Sequence, residues 1–510
     1  MHLALSQQIG DIDRFAEQSL GIPTAELMAR SGRAVERAVR ERLEIGKSIV
    51  ILAGKGNNGA DGYAAATFLF ADYRITVVDV FAMGQRSECG KHFLSAYRDL
   101  GGRIIEYSED DELERLISGS DCIIDAIFGT GFVGEAPERI KRLSRIINET
   151  VRALKIAIDV PIGINADTGA VNTTLACTMN ATVVLSFIKP GLVSYPAKPY
   201  VGEILFDDLA LPQKLLSERF EFNYTLVDEK CARAMMPKRE ENSSKGNFGK
   251  LLLITGSKKF PGAGALSLEA ALRGGVGYVT HMGEERLVAS LCMKFPEAIY
   301  KTIPEMEKIS DDDISAIVEA SARASATLIG SGSGCSEGLL KLVNALLLAE
   351  GGPLILDADA INVLADKREE SLALIRNSVR TVILTPHPLE FSRLCANNVS
   401  DIQLHRIEAA KKFAAEQRCI LVLKGAGTIT TDGKQVLINS SGSSALAKAG
   451  SGDVLAGFLS AMIAQGGDPL AMSALSVFYH AYAADTLARE YSLFGVTPSD
   501  LPRQIAKSLT

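Results

Sequence analysis

The chain has 510 residues, which at roughly 100–200 residues per domain predicts two or three domains. Apolar residues make up 47% and charged residues 23%, so large cores can be buried and disorder is excluded. The net charge of −7 argues against nucleic acid as a partner but leaves a nucleotide open, because backbone N–H groups bind phosphate without net positive charge.

The opening residues, MHLALSQQIGDIDRFAEQ, hold neither a basic n-region nor a long apolar core, so no secretory signal is expected. No apolar run approaches the ~20 residues of a membrane span, and a cytoplasmic protein with no membrane partner is expected. Residues 23–44 read as an amphipathic helix with a proline near its first turn. Short continuous runs rich in Val and Ile follow at 48–54, 74–81, 121–129, 155–161 and 181–187. Such runs predict strands buried on both faces of a parallel sheet, and the helical segments between several of them give a Rossmann-like α/β sandwich.

Around 209–240 the pattern weakens into prolines, charge clusters and Ser/Asn/Gly punctuation, which places a domain junction near 212–225, between domains of 1–215 and 225–510. A fresh alternation follows at 250–256, 278–283, 326–332, 353–359, 381–386 and 419–425, again a mostly parallel sheet with covering helices. Residues 428–433 and 435–441, joined through Asp432-Gly433-Lys434, read as a hairpin at the sheet's edge. The eight cysteines are spread singly with no C-x-x-C pair, which excludes zinc ribbons and suits a reducing compartment.

The strand at 48–53 runs into Gly54-Lys55-Gly56-Asn57-Asn58-Gly59-Ala60-Asp61-Gly62. Its glycines fit G-x-G-x-x-G between strand and helix, and Asp79 lies about 20 residues on, as in the fingerprint of Rossmann dehydrogenases. A plain glycine turn closing a βα unit is the alternative. Against a dehydrogenase, Asn57, Asn58 and Asp61 put three polar side chains where bare backbone is needed, and their oxygens are hard ligands for a cation. A second loop runs from Asp125 to Glu135 and a third from Asp159 to Gly169. Ligands of open α/β sheets bind outside the carboxyl ends of strands, so three such polar, glycine-bearing ends favour a site.

Together, G-x-G-N-N-G-x-D-G at 54–62, D-A-x-x-G-T-G at 125–131, I-D-x-P-x-G-x-N-x-D-T-G at 158–169 and Phe187-Ile188-Lys189-Pro190-Gly191 resemble the N-terminal domain of the bifunctional NAD(P)H-hydrate repair enzymes. The resemblance implies an epimerase that interconverts the two epimers of hydrated NADH or NADPH (NADHX, NADPHX), with a bound potassium ion. It puts Asn58 and Asp125 on the potassium. It lines the nucleotide with Asn57, Asn58, Gly59, Ala60 and Asp61, and with Gly129, Thr130, Gly131, Phe132, Val133, Gly134 and Glu135. It makes Asp159 the acid/base at the nicotinamide end. Two residues depart from the family: Ala60 replaces the usual Gly, and Ile162, a further position on the metal, replaces Ser. A cation held by the Ile162 carbonyl would be unaffected, whereas one held by a hydroxyl would be weakened.

Near the other end, Gly450-Ser451-Gly452-Asp453 enters an apolar helix whose free N–H groups and positive dipole end form an anion hole. Asp453 beside phosphates suits proton transfer with a substrate hydroxyl during phosphoryl transfer; alternatively it is a first-turn carboxylate favoured by the dipole. Lys424-Gly425-Ala426-Gly427-Thr428 follows a strand and fits a nucleotide-holding turn, without the Walker pattern. The pattern resembles ribokinase-like small-molecule kinases. It resembles more closely the dehydratase domain of the same repair family, through residues 246–250, 262–265, 330–334, 357–360, 385–390, 424–428 and 450–453 in that order.

That second resemblance implies a ribokinase-like α/β domain that removes water from the S-epimer with ADP (or ATP) consumed. It puts Lys424, Gly425, Ala426, Gly427, Thr428 and Gly452 on the adenine nucleotide. It puts Ala265, Gly332, His387 and Asp453 on the hydrated dinucleotide, with Asp453 as the base. Mg²⁺ is expected, since phosphoryl transfer needs charge neutralisation. His387, in a Thr-Pro-His-Pro loop, reads as structural alone and as a ligand through the resemblance, and Leu389 stands where the family commonly has Gly. His92, His281, His405 and His480 read as surface or packing residues. Two other readings remain: a ribokinase-like kinase fused to a Rossmann-like oxidoreductase domain, and an enzyme whose N-terminal domain only binds a nucleotide. A homo-oligomer is expected on the general frequency of symmetric assemblies.

Overall fold

The computed structural model describes residues 1–81, 87–130 and 136–509, so Gly131, Phe132, Val133, Gly134 and Glu135 of the second loop lie outside the described residues. The chain divides into two compact units, His2–Phe222 and Asn223–Thr510 with Met1.

The N-terminal unit opens with helices α1 (Ser6–Leu20) and α2 (Thr24–Arg40). The helix expected over 23–44 stops at Arg40, because the chain must turn back into strand β1 (Ser48–Ala53) within a few residues. Helix α3 (Asn57–Leu69) follows, then strands β2 (Arg74–Asp79), β3 (Arg103–Glu106), β4 (Cys122–Ala126), β5 (Leu154–Ile158), β6 (Ala181–Leu185) and β7 (Glu203–Asp207). The seven strands are parallel in the order β3-β2-β1-β4-β5-β6-β7. Alternate residues of β1 explain its unbroken apolar run: Ile49 and Ile51 join the core under α2 and α3, while Val50 and Leu52 join the core on the other face. The two edge strands, β3 and β7, had no apolar run to announce them; each sets charged residues among its apolar ones because its outer side is not covered by another strand.

The C-terminal unit begins with strand β8 (Tyr224–Val227) and adds β9 (Lys250–Ile254), β10 (Tyr278–Gly283), β11 (Ile299–Thr302), β12 (Ala326–Ile329), β13 (Leu354–Leu356), β14 (Val382–Leu384), β15 (Ile420–Leu423), β16 (Ile429–Thr431) and β17 (Val436–Asn439). Within this unit their order is β8-β17-β16-β15-β14-β13-β12-β9-β10-β11. The β16–β17 hairpin forms, and β15–β16 and β16–β17 are the antiparallel pairs of this unit. It is not at the edge as expected, because β8 pairs with β17 in parallel, Tyr224 opposite Val436. That strand lies in the junction stretch, where proline and charge mask its short apolar pattern.

Both sheets reverse strand order once where it matters. In the first, β2 lies on one side of β1 and β4 on the other; in the second, β10 and β12 flank β9. At such a reversal the loops leaving adjacent strands diverge and open a crevice at the carboxyl ends. The loop after β1 thus meets the loop after β4, and the loop after β9 meets the loop after β12. In the second unit, helix α4 (Pro261–Arg273) and helix α6 (Ser451–Ala464) cross so closely that a Cβ on Gly457 would run into the Ser267 carbonyl. Between them in sequence lies α5 (Pro388–Cys395).

Two candidate active sites

The N-terminal crevice is a cavity of about 430 Å³ lined by Asn57, Asn58, Asp61, Gly129, Thr130, Asp159 and Lys189 among others. It collects expected residues from three strand ends, Asn57, Asn58 and Asp61 after β1, Gly129 and Thr130 after β4 and Asp159 after β5, whereas Gly59, Ala60, Asp125 and Ile162 do not line it. Asp79, the acidic residue of the dehydrogenase-like fingerprint, is buried at the end of β2 and does not line the cavity. Gly59 is needed because a Cβ there would strike the Gly54 carbonyl, so α3 starts directly over β1. Ala60 sits in that helical first turn, its methyl 1% exposed, so the replacement of Gly is absorbed by core packing.

Asn58 is buried; its Nδ2 donates to the Ile158 carbonyl at 2.6 Å, and its Oδ1 has no hydrogen-bond partner among the described residues. Asp125 accepts the amide of Ile127 at 3.1 Å on Oδ1 and that of Ile162 at 2.8 Å on Oδ2. Burial pushes its carboxyl up to about 6 even though both amides pull the other way. The Ile162 side chain lies in the apolar cluster beneath, so only its backbone faces Asp125.

Asp159 leaves β5 with φ of 66°, a left-handed conformation that a non-glycine residue holds only at a cost. Ser186, at the matching place after β6, has the same φ of 66°. The two turns let Lys189 reach back: its fully buried Nζ donates to Asp159 Oδ1 and to the Leu185 carbonyl at 3.0 Å. The Leu185 amide also donates to Asp159 Oδ1 at 3.3 Å. Two further carboxyls stand close by. Burial and the nearby Asp159 charge hold Asp61 well above the usual carboxylate range. Burial lifts Asp13 to about 6, against the pull of Lys189 and with a further push from Asp159. The sequence patterns give a role to neither Lys189 nor Asp13. Lys189 was signalled by its Phe-Ile-Lys-Pro-Gly motif; Asp13 carried no signal beyond its place in a helix.

In the C-terminal unit, Lys424 is the centre. Its Nζ stands 3.0 Å from Asp357 Oδ1 and 4.0 Å from Glu390 Oε2. Burial works against its charge, but Asp357 and Glu390 outweigh it and raise its pKa. Asp357 is further held by Thr385 Oγ1 at 2.7 Å and Ser331 Oγ at 2.8 Å. The loop from Lys424 to Thr428 is fixed from below by Arg406, which donates to the carbonyls of Leu423 and Lys424 at 3.2 and 3.1 Å, and inside by Thr428 Oγ1 donating to the Gly425 carbonyl at 2.9 Å. Gly425 and Ala426 are exposed beside it.

Helix α6 begins at Gly450, whose φ of 100° makes the sharp entry, and Gly452 in its first turn faces Lys424: a Cβ there would stand 3.5 Å from Nζ. Asp453, on the same turn, is pushed up to about 7 by burial first and by the Asp357 charge next, with Lys424 opposing. His387 caps α5, accepting the amides of Leu389 and Glu390 on Nδ1 at 3.2 Å each. That places its proton on Nε2, 3.3 Å from Glu390 Oε1. The cap is intact with Leu389 in place of Gly, because the leucine side chain points outward, 47% exposed. Gly332, with φ of 65°, sits against Ala263, two residues before Ala265 in α4, so the loops after β9 and β12 close together. Asp357 and Glu390 are the roles that sequence reasoning missed; both lie inside motifs it had marked. His281 and His480 are buried, and burial pushes each down to about 4, in keeping with packing.

Comparison with known proteins agrees with this division. A family model described as NAD(P)H-hydrate dehydratase matches residues 251–507, and one described as YjeF-related protein N-terminus matches 24–191. A bifunctional NAD(P)H-hydrate repair enzyme of Moorella thermoacetica is 33% identical over 98% of this chain and 95% of its own length. A ribokinase-like superfamily protein of Enterococcus faecalis, 22% identical, covers 57% of this chain and 96% of its own with a TM-score of 0.50, which supports the ribokinase-like fold of the C-terminal unit. An ADP/ATP-dependent NAD(P)H-hydrate dehydratase of Bacillus subtilis, co-crystallised with ATP and Mg²⁺, is 29% identical over 56% of this chain and 98% of its own, with a TM-score of 0.49.

Proposed function

The chain belongs to the family of bifunctional NAD(P)H-hydrate repair enzymes, and from that premise we propose which residues carry each of its two activities. The N-terminal unit interconverts the R- and S-hydrates of NADH and NADPH, and the C-terminal unit dehydrates the S-hydrate to NAD(P)H.

At the epimerase site, Asp159 handles the proton of the ring hydroxyl. What carries this role is its left-handed strand end, which turns a carboxylate into the cavity and sets it on a buried ammonium. A carboxyl so oriented can pass a proton to or from a hydroxyl brought within hydrogen-bond reach. The main chain and Asn57, Asn58, Gly129 and Thr130 hold the nucleotide. A potassium ion fits beside Asn58 and Asp125, where a buried amide oxygen lacks a partner among the described residues and a buried carboxylate retains lone pairs. Position 162 would reach it only through backbone. Bound there, the cation supplies positive charge beside an anionic dinucleotide.

At the dehydratase site, Asp453 takes the proton of the ring hydroxyl as ADP transfers a phosphoryl group to that oxygen. Lys424 and the first turn of α6 hold the phosphates, and Lys424 stays oriented by Asp357 and Glu390. The carbon–oxygen bond then breaks with its electron pair on the phosphate, and loss of a proton from the neighbouring carbon leaves NAD(P)H and AMP. His387, Gly332 and Ala265 face the hydrated ring. Among the described residues no three ligating side chains are gathered into a metal cage, which fits a Mg²⁺ that rides on nucleotide phosphates and neutralises their charge. The eight cysteines are all unpaired, which suits a cytoplasmic enzyme.

The test is to incubate the pure protein with hydrated NADH and ADP while following absorbance of the reduced nicotinamide. Recovery of NADH with one phosphate released per NADH is expected. A stable phosphorylated product in its place would reject this reading in favour of a kinase.

A further inference from the structure

Of the three carboxyls that line the N-terminal cavity, Asp159 is held by Lys189 and Asp61 by the Ser31 hydroxyl, and Asp13 has no such partner among the described residues. It stands on α1 one turn beyond Ile9, and both residues line the cavity with Asp159, Asn57 and Thr130. Ile12 and Ala16 of the same helix are buried in the core, so the helix presents Asp13 to the cavity from an anchored face. Asp13 is half-buried, and among the described residues no hydrogen bond or ion pair satisfies it. The nearby cation, Lys189, is already engaged by Asp159 and the Leu185 carbonyl.

The position of α1 is set by the site itself. Asp167 Oδ1 accepts both the amide and the hydroxyl of Ser6, at 2.7 and 2.8 Å, at the first residue of the helix. Just upstream, the Ala4 amide donates to the Ile188 carbonyl at 3.0 Å, one residue from Lys189. The loop that opens with Asp159 therefore also pins the helix that carries Asp13. This explains a motif aspartate that is not itself among the residues lining the cavity. Asp13 lies outside residues 24–191, the span of the family match.

We propose that Asp13 is the second proton-handling residue of the epimerase, working from the helical wall of the cavity while Asp159 works from the strand-end wall. The proposal rests on the epimerase reading of this unit. Inversion at a carbon that bears a hydroxyl beside a ring nitrogen needs a donor where the hydroxyl leaves and an acceptor where water returns. In one direction the Asp13 carboxyl gives its proton to the hydroxyl. The carbon–oxygen bond breaks with its pair on oxygen, water departs, and the nitrogen lone pair closes a double bond to the carbon. A water on the other side bonds to that carbon, its proton passes to the Asp159 carboxylate, and the nitrogen regains its pair. Nothing is oxidised or reduced, and proton exchange with solvent, or the reverse conversion, restores both carboxyls. A pair of carboxyls in unlike surroundings, one on an ammonium and one on none, divides acid from base in this way.

The experiment measures R-to-S exchange by chromatography in ¹⁸O-labelled water, using full-length wild type, Asp13→Asn, Asp13→Glu and Asp159→Asn. Wild type should beat the spontaneous rate and place ¹⁸O in the ring hydroxyl. Asp13→Asn should lower kcat by ~10²–10⁴-fold, the usual contribution of one acid/base group, with KM little changed and label uptake falling in step. Asp13→Glu should recover part of kcat. Exchange by Asp13→Asn at close to the wild-type rate, or loss that comes with a lowered unfolding temperature and no rescue by Glu, overturns the assignment of Asp13 alone. Exchange without label uptake overturns the water-loss step and with it the need for a second residue. Wild type no faster than the spontaneous rate, with dehydration of the S-hydrate intact, overturns the epimerase reading itself.

Discussion

Asp453 and Asp159 are both aspartates at element ends, yet their surroundings set them apart. Asp453 is pushed up to about 7 by burial and by neighbouring Asp357, so it is poised to take a proton near neutrality. Its base form is filled as pH rises through about 7, and the kcat/KM for dehydration should climb along a limb centred there. Asp453→Asn should remove ADP-dependent dehydration, measured as NADH recovery from the S-hydrate. The stability sign is opposite. A carboxyl whose folded value lies above its unfolded value, ~3.9, binds more protons when folded, so its contribution fades as pH rises from about 4 through about 7. Urea unfolding of wild type against Asp453→Asn across that range should show the gap narrowing in the acid arm. At the other site, Asp159→Ala should bring R-to-S exchange down to the spontaneous rate. Asn58→Ala should raise the potassium concentration needed for half-maximal exchange, since it deletes the unpartnered Oδ1.

Helices α4 and α6 show how elements hold the residues above in place. Gly457 lets α6 lie directly against Ser267 of α4, and this contact sets the first turn of α6, with Gly452 and Asp453, over Lys424. Gly457→Ala should cost ~1–3 kcal/mol through overpacking and lower the unfolding midpoint of the C-terminal unit by calorimetry, with a loss of dehydration. Elements were legible where burial on both faces wrote a continuous apolar run, as in Ile49–Leu52 or Leu251–Ile254. They were not legible where one side stays uncovered or the strand is short. Arg103–Glu106, Glu203–Asp207, Ile299–Thr302 and Tyr224–Val227 each mix charge or polarity into four or five residues, and their pairing is decided by neighbours far away in sequence. The hairpin was read correctly and its place in the sheet was not, for the same reason.

As a whole molecule, the enzyme joins an exchange that consumes nothing to a dehydration that is selective for one epimer. A mixture of R- and S-hydrates should therefore be recovered fully by wild type. With Asp159→Ala, recovery of NADH should show a fast phase equal to the S fraction and then proceed at the spontaneous epimerisation rate. The sequence by itself determined which strand-end loops carry the candidate residues, because glycine turns with Asn, Asp and Lys at strand ends are local patterns, and it determined that Gly450–Asp453 opens a helix. Only the tertiary structure decided which charges meet. Lys189 lies 30 residues from Asp159, and Lys424 lies 67 from Asp357, so neither pairing is visible without the sheet order that brings the strand ends together. Asp13 depends on folding still more: one carboxylate among three on an amphipathic helix looks like solvated surface until that helix is pinned over a cavity. Burial and Coulomb interaction act through space, and chain separation says nothing of either.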